Sequence, residues 1–90
     1  MAQITANVED LEAKSGQFTK KSEDLRTLVT STNQMMQELQ VTFSGKRAKE
    51  IQDLWAGYQK TLGDAVSTLA ETGNLLKRAA ADFRAADSGR

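Results

Sequence analysis

The middle of the chain reads Leu39-Gln40-Val41-Thr42-Phe43-Ser44-Gly45-Lys46-Arg47-Ala48. Glycine tolerates the backbone of a tight turn, and serine is a good N-terminal cap of a helix. We therefore predict a turn over residues 42–45, with Ser44 as the cap of the helix that follows. The turn lies at the midpoint of 90 residues that contain no proline, and no other stretch interrupts the chain as strongly.

Apolar or small residues recur before this turn at alternating steps of four and three. They are Ile4, Val8, Leu11, Ser15, Phe18, Ser22, Leu25, Val29, Thr32, Met36, Leu39 and Phe43. Such a heptad spacing is typical of a helix that packs along one partner helix. It predicts a first helix over about residues 5–41, with Asn7 or Thr5 as its N-terminal cap.

A second stripe with the same spacing follows the turn. Its members are Ala48, Ile51, Trp55, Tyr58, Leu62, Ala65, Leu69, Thr72, Leu76, Ala79 and Phe83. It predicts a second helix over about residues 46–84, followed by a flexible tail over residues 85–90. Because Trp55-Ala56-Gly57 falls in phase within this stripe, we expect Trp55 to be a packing residue and not part of the turn. The residues that we assign to the core are Leu25, Trp55, Leu62 and Leu69.

Two helices of about 35 residues are each ~50 Å long. Since a short turn joins them, they must lie antiparallel, which makes the predicted fold an all-α helical hairpin in a single domain. Apolar residues beside the two stripes would stay in contact with water in a lone hairpin. We therefore predict that the chain dimerises into a four-helix bundle, as a homodimer or a heterodimer with a similar small helical protein. The residues expected at the dimer interface are Leu28, Met35, Leu54 and Val66.

The composition argues against catalysis. Histidine and cysteine are both absent, so the commonest acid–base residue and the thiol nucleophile are missing. A chain of this size also buries too little surface to build a deep pocket. We expect no enzyme activity, no metal site and no cofactor. Twelve basic residues balance twelve acidic residues, which gives no electrostatic case for binding nucleic acid or an anionic membrane.

The helical hairpin with an aromatic-x-Gly turn resembles the WXG-motif family, the small early-secreted-antigen-like proteins of type VII (ESX) secretion. The family pattern is Trp-x-Gly, a small residue three positions on, and an aromatic or aliphatic residue three further. Gly45, Ala48 and Ile51 fit these places, and Phe43 stands where the family has Trp. The resemblance implies that Phe43, Ser44 and Gly45 form a turn motif that is half of an export signal.

The family also carries Tyr-x-x-x-Asp/Glu after its second helix. Phe83-Arg84-Ala85-Ala86-Asp87 has that spacing and position, with Phe in place of Tyr. The resemblance implies that Phe83 and Asp87 form the other half of the export signal.

The resemblance further implies a secreted protein that is made in the cytoplasm and read by the type VII export ATPase. The first residues lack the basic and apolar regions of a Sec signal peptide, which agrees with that route. The exported form would be a dimer or the co-exported partner of a larger effector. The alternative function is that of an intracellular helical adaptor or bundle subunit that is not exported.

Overall fold

Two long helices make up the part of the chain that the structure describes. This computed structural model describes residues 7–88, and the side chains among them as far as Ala86. Helix α1 spans Val8–Thr42 and helix α2 spans Lys46–Ser88. They lie side by side in a rod of 68 × 24 × 14 Å. The predicted all-α hairpin is confirmed.

Helix α1 begins with a side-chain cap. The Oδ1 atom of Asn7 accepts a hydrogen bond of 3.0 Å from the backbone N–H of Asp10. Glu9 and Asp10 place negative charge at the positive end of the helix dipole. Of the two caps that the sequence offered, the structure has Asn7. The start predicted near residue 5 lies outside the described residues.

The connection between the helices is short and depends on Gly45. The Phe43 N–H donates to the Leu39 carbonyl oxygen, which ends α1 one residue later than predicted. The Lys49 N–H then donates to the Gly45 carbonyl oxygen at 3.1 Å. Gly45, and not the expected Ser44, therefore occupies the N-cap position of α2. Its φ of 107° belongs to the left-handed region, in which a residue with a Cβ is strained.

Helix α2 is longer than predicted. It continues through Ser88, so the expectation of a helix end near residue 84 and a tail from residue 85 is wrong for residues 85–88. The prediction stopped α2 at the last apolar residue of its stripe, Phe83. The residues after Phe83 are the strong helix formers Arg84, Ala85 and Ala86, and the first glycine that follows them is Gly89.

Two serine side chains fix how the helices lie against each other. The Ser15 hydroxyl donates to the Gly73 carbonyl oxygen at 2.7 Å, and the Ser22 hydroxyl donates to the Val66 carbonyl oxygen at 2.9 Å. The two serines are seven residues apart on α1 and their partners are seven apart on α2. The register is therefore antiparallel and regular, and Val8 lies level with Ala80.

The contact line on α2 differs from the predicted stripe at every second position. We call the residues that face the other helix the seam. On α1 the seam is the predicted stripe, because its described members from Val8 to Leu39 are all buried or half-buried. On α2 the seam keeps alternate stripe members and replaces the others by the residue that follows each. The seam of α2 is Ala48, Gln52, Trp55, Gln59, Leu62, Val66, Leu69, Gly73, Leu76, Ala80 and Phe83. All are buried or half-buried except Gln59, which is exposed and belongs to the seam because it donates a hydrogen bond to Asn33 of α1.

The corrected seam explains the close approach of the helices far from the turn. Ala80, Val66, Gly73, Ser15 and Ser22 are buried there. All five have small side chains or none, so the two backbones come near enough for serine-to-carbonyl hydrogen bonds. Ile51 and Tyr58, which the stripe placed in the core, are instead exposed.

Candidate functional site

The hairpin has two unlike sides, and one ion pair identifies them. Glu12 follows the seam residue Leu11, Arg84 follows the seam residue Phe83, and their side chains meet across the helices. Residues that follow a seam residue therefore share one side of the hairpin. In an antiparallel pair of right-handed helices, residues that precede a seam residue share the opposite side.

That opposite side is apolar in the half of the hairpin near the turn. Five hydrophobic or aromatic side chains of this side are between 39% and 64% exposed. They are Leu28, Met35, Ile51, Leu54 and Tyr58. We call this group the apolar side. A monomeric soluble protein rarely leaves a contiguous group of this kind in water.

One residue that was expected on this flank lies elsewhere. Val66 is only 8% exposed, because it is a seam residue buried between α1 and α2. The expectation that Val66 faces a partner is therefore wrong. Leu28, Met35 and Leu54 are exposed, as a partner-facing role requires. Ile51 and Tyr58 join them, and sequence reasoning missed both because their apolar character also fitted the core.

The seam near the turn contains a polar cluster. The Trp55 indole N–H donates to Asn33 Oδ1 at 2.6 Å, and the Gln59 amide donates to the same oxygen. Gln40 and Gln52 form an amide pair at 3.0 Å. Trp55 is half-buried within α2, which runs through Trp55-Ala56-Gly57 without a break. The other residues assigned to the core are also half-buried, namely Leu25, Leu62 and Leu69.

The tip of the hairpin exposes apolar surface. Phe43 is partly exposed beside the chain reversal, and Val41 is 86% exposed. Ser44 and Gly45 are exposed as well. The turn motif therefore lies at the surface, where a second protein can reach it.

The far end of α2 projects beyond the described start of α1. Since Val8 lies level with Ala80, residues 81–88 extend α2 by ~12 Å past that level. Phe83 is half-buried. The positions of Phe83 and Asp87 are one helical turn apart on the same face. The Asp87 side chain lies outside the described part of the structure.

The Glu12–Arg84 pair joins the two helices at this end. Arg84 Nε donates to Glu12 Oε2 at 2.9 Å, and Arg84 Nη2 donates to Glu12 Oε1 at 2.7 Å. These hydrogen bonds hold the pKa of the Glu12 carboxyl below its ordinary value and raise the pKa of Arg84. The pair therefore keeps both charges to a lower pH than an unpaired glutamate allows. Within residues 7–86, every other ion pair joins two residues of the same helix.

The family model for proteins of about 100 residues with a Trp-x-Gly motif, WXG100, matches residues 3–88. The chain belongs to the WXG100 family. The resemblance drawn from the turn and the tail is thus confirmed at the level of the family. The only tryptophan of this WXG100 protein is Trp55, in the seam of α2.

Solved structures of another protein have the same fold. EsxB of Bacillus anthracis str. Sterne, described as a secreted protein, superposes with a TM-score of 0.83 at 21% identity, over 97% of this chain and 99% of that one. A glutamate-to-glutamine point mutant of EsxB gives 0.84 at 20% identity, over 100% and 99%. A glycine-to-alanine point mutant gives 0.81 at 20% identity, over 93% and 97%. None of the curated proteins compared with the chain matches it.

Two further properties bear on what this WXG100 hairpin can do. Over residues 7–88, neither helix contains a stretch apolar enough to cross a lipid bilayer. The same residues contain no cluster of three or more acidic side chains arranged to hold a metal ion. The surfaces described above are the candidates for function.

Proposed function

We propose that this WXG100 protein is exported by type VII secretion as an antiparallel dimer, without enzymatic activity. The family match over residues 3–88 carries the proposal. The exposed apolar side supports the dimer, because Leu28, Met35, Ile51, Leu54 and Tyr58 need a partner to leave water. Burying such a face against a second hairpin gives a four-helix bundle.

The sizes of the side chains favour a second copy in the antiparallel orientation. Near the turn, the apolar side carries large residues. On the same side far from the turn, α2 carries the small residues Ala65, Thr72 and Ala79 and one large exposed residue, Leu75, each of which precedes a seam residue. When one hairpin is turned end for end against another, the large residues near the turn of each lie against Ala65, Thr72 and Ala79 of the other, and Leu75 adds apolar area to the same face. A two-fold interface of this kind is self-complementary.

An antiparallel dimer also brings the two halves of the export signal together. The turn of one copy, Phe43 to Gly45, then lies beside the helix end of the other, which carries Phe83 and Asp87. A type VII export ATPase would bind a surface built from two chains, so it would select dimers. A heterodimer with a similar small helical protein, or co-export of a larger effector, uses the same surfaces.

The dimer predicts a side-specific effect of charge. We expect Leu54→Glu to weaken self-association by about tenfold or more, because the dimer would bury an unpaired carboxylate. Ala56→Glu is the matched control, since Ala56 is exposed two residues away and follows the seam residue Trp55, which places it on the side opposite the apolar side. Sedimentation equilibrium of both variants measures the dissociation constants. Equal constants for the two variants, or a wild type that stays monomeric at micromolar concentration, would contradict a homodimer on the apolar side.

The export signal predicts an effect of a single carboxylate. We expect Asp87→Ala to lower the ratio of extracellular to cytoplasmic protein severalfold in a type VII-competent host, with little change in melting temperature. Asp82→Ala removes a carboxylate from the same helix end but from another face, and it should leave the ratio unchanged. Phe83→Ala should lower both export and stability, because Phe83 also belongs to the seam. An unaltered ratio for Asp87→Ala, with dimerisation verified, would favour the intracellular adaptor.

A further inference from the structure

We propose that Glu12 and Arg84 are positioning residues that hold the C-terminal end of α2 against α1 and thereby present Phe83 and Asp87 in helical form. This inference rests on the proposed export function. The ion pair joins α1 and α2 close to Val8, where the described part of α1 begins. No other ion pair of the described residues bridges the helices, so this contact is well placed to restrain that end.

The geometry explains why these two residues meet. The register set by the two serines puts Leu76 level with Glu12, about two turns of α2 before Arg84. Helical side chains lean toward the N-terminus of their own helix. In an antiparallel hairpin, Arg84 therefore leans toward the turn and Glu12 leans away from it, so they approach each other. The result is a two-point contact between a guanidinium and a carboxylate, which fixes orientation as well as distance.

The position of Arg84 links this contact to the proposed signal. Arg84 directly follows Phe83 and precedes Asp87 by three residues, so its anchoring limits how this turn of α2 can rotate or fray. Helix ends fray readily when packing does not restrain them. The bond between Arg84 and Glu12 supplies such a restraint. An exposed ion pair contributes little to global stability, so its effect is local.

The experiment compares the full chain with Glu12→Gln, Arg84→Gln and the charge-swapped double variant Glu12→Arg/Arg84→Glu. Lys60→Gln is the control, because Lys60 forms an ion pair with Asp64 within α2. Amide hydrogen exchange is followed over residues 80–88 and over the middle of α2. The export ratio is measured for the same variants, together with Asp87→Ala.

We expect each single variant to speed exchange over residues 80–88 by roughly two- to fivefold, with the middle of α2 unchanged. Export should fall in parallel, and the charge swap should restore both. Unchanged exchange over residues 80–88, or a swap that restores neither property, overturns the positioning role. Normal export of Glu12→Gln also overturns the positioning role if Asp87→Ala is poorly exported. If Asp87→Ala itself is exported normally, the proposed function fails, and the exchange data still decide whether the pair orders the helix end.

Discussion

Replacing Gly73 with alanine is expected to destabilise the hairpin, whereas the same replacement at Gly63 should stabilise it. A Cβ atom at position 73 would lie 2.8 Å from Thr19 Oγ1 and 3.1 Å from the Ser15 carbonyl oxygen. Overpacking of this kind typically costs about 1–3 kcal/mol. At position 63 no atom lies within 4 Å of the added carbon. Alanine there gains about 1 kcal/mol of helix propensity.

The two glycine variants should therefore shift the melting temperature in opposite directions, with a difference of about 2 kcal/mol in the free energy of unfolding. Thermal and urea unfolding followed by circular dichroism measure this difference at one fixed protein concentration. The comparison isolates the interhelical contact, because both residues occur inside α2 and both gain the same propensity. Equal stabilisation of the two variants would mean that the helices are farther apart at Gly73 and Ser15 than the structure has them.

Trp55→Ala is expected to lower the free energy of unfolding by about 2 kcal/mol. Full burial of a tryptophan would give about 3–5 kcal/mol for this truncation, and Trp55 is half-buried. The variant also removes the hydrogen bond from the indole N–H to Asn33. Asn33 Oδ1 keeps the Gln59 amide as a donor, so the truncation leaves no unpaired amide oxygen.

Trp55→Phe separates the two contributions of the indole. Phenylalanine keeps most of the ring packing and loses only the hydrogen bond, so we expect a loss of about 1 kcal/mol or less. Urea unfolding of the wild type and both variants provides the three free energies. If Trp55→Ala unfolds at the same urea concentration as the wild type, the indole does not pack in the seam. Trp55-Ala56-Gly57 would then become a candidate surface.

The sequence predicted α1 better than α2 for a physical reason. On α1, polar residues flank most seam positions, so only one set of positions could form an apolar stripe with alternating steps of four and three. On α2, apolar residues occur at two neighbouring sets of stripe positions. The prediction placed Ile51 and Tyr58 in the stripe, and not Gln52 and Gln59, because they are more hydrophobic. The structure instead follows Gly73, Val66 and Ala80, whose small size allows close approach. Periodicity finds a stripe, but steric fit decides between neighbouring ones.

The candidate site was predictable to different degrees. The turn that contains Phe43 and Gly45 could be predicted, because the first stripe ends and the second begins there. Val66 was misplaced as a direct result of the wrong phase on α2. The Glu12–Arg84 contact could not be found from spacing, because it joins residues 72 positions apart and depends on the register set by two serines. Only knowledge of that register would have paired them.

The three buried apolar residues of the described chain, Ala48, Val66 and Ala80, are all small, and no large side chain among residues 7–86 is fully buried. A lone hairpin thus gains little from the hydrophobic effect, so in the proposed dimer much of the free energy of folding comes from the partner. In such a dimer folding is coupled to association, and the folded fraction depends on how much protein is present. Dilution would then act as a denaturant, and a cell would hold folded protein only above a threshold of expression.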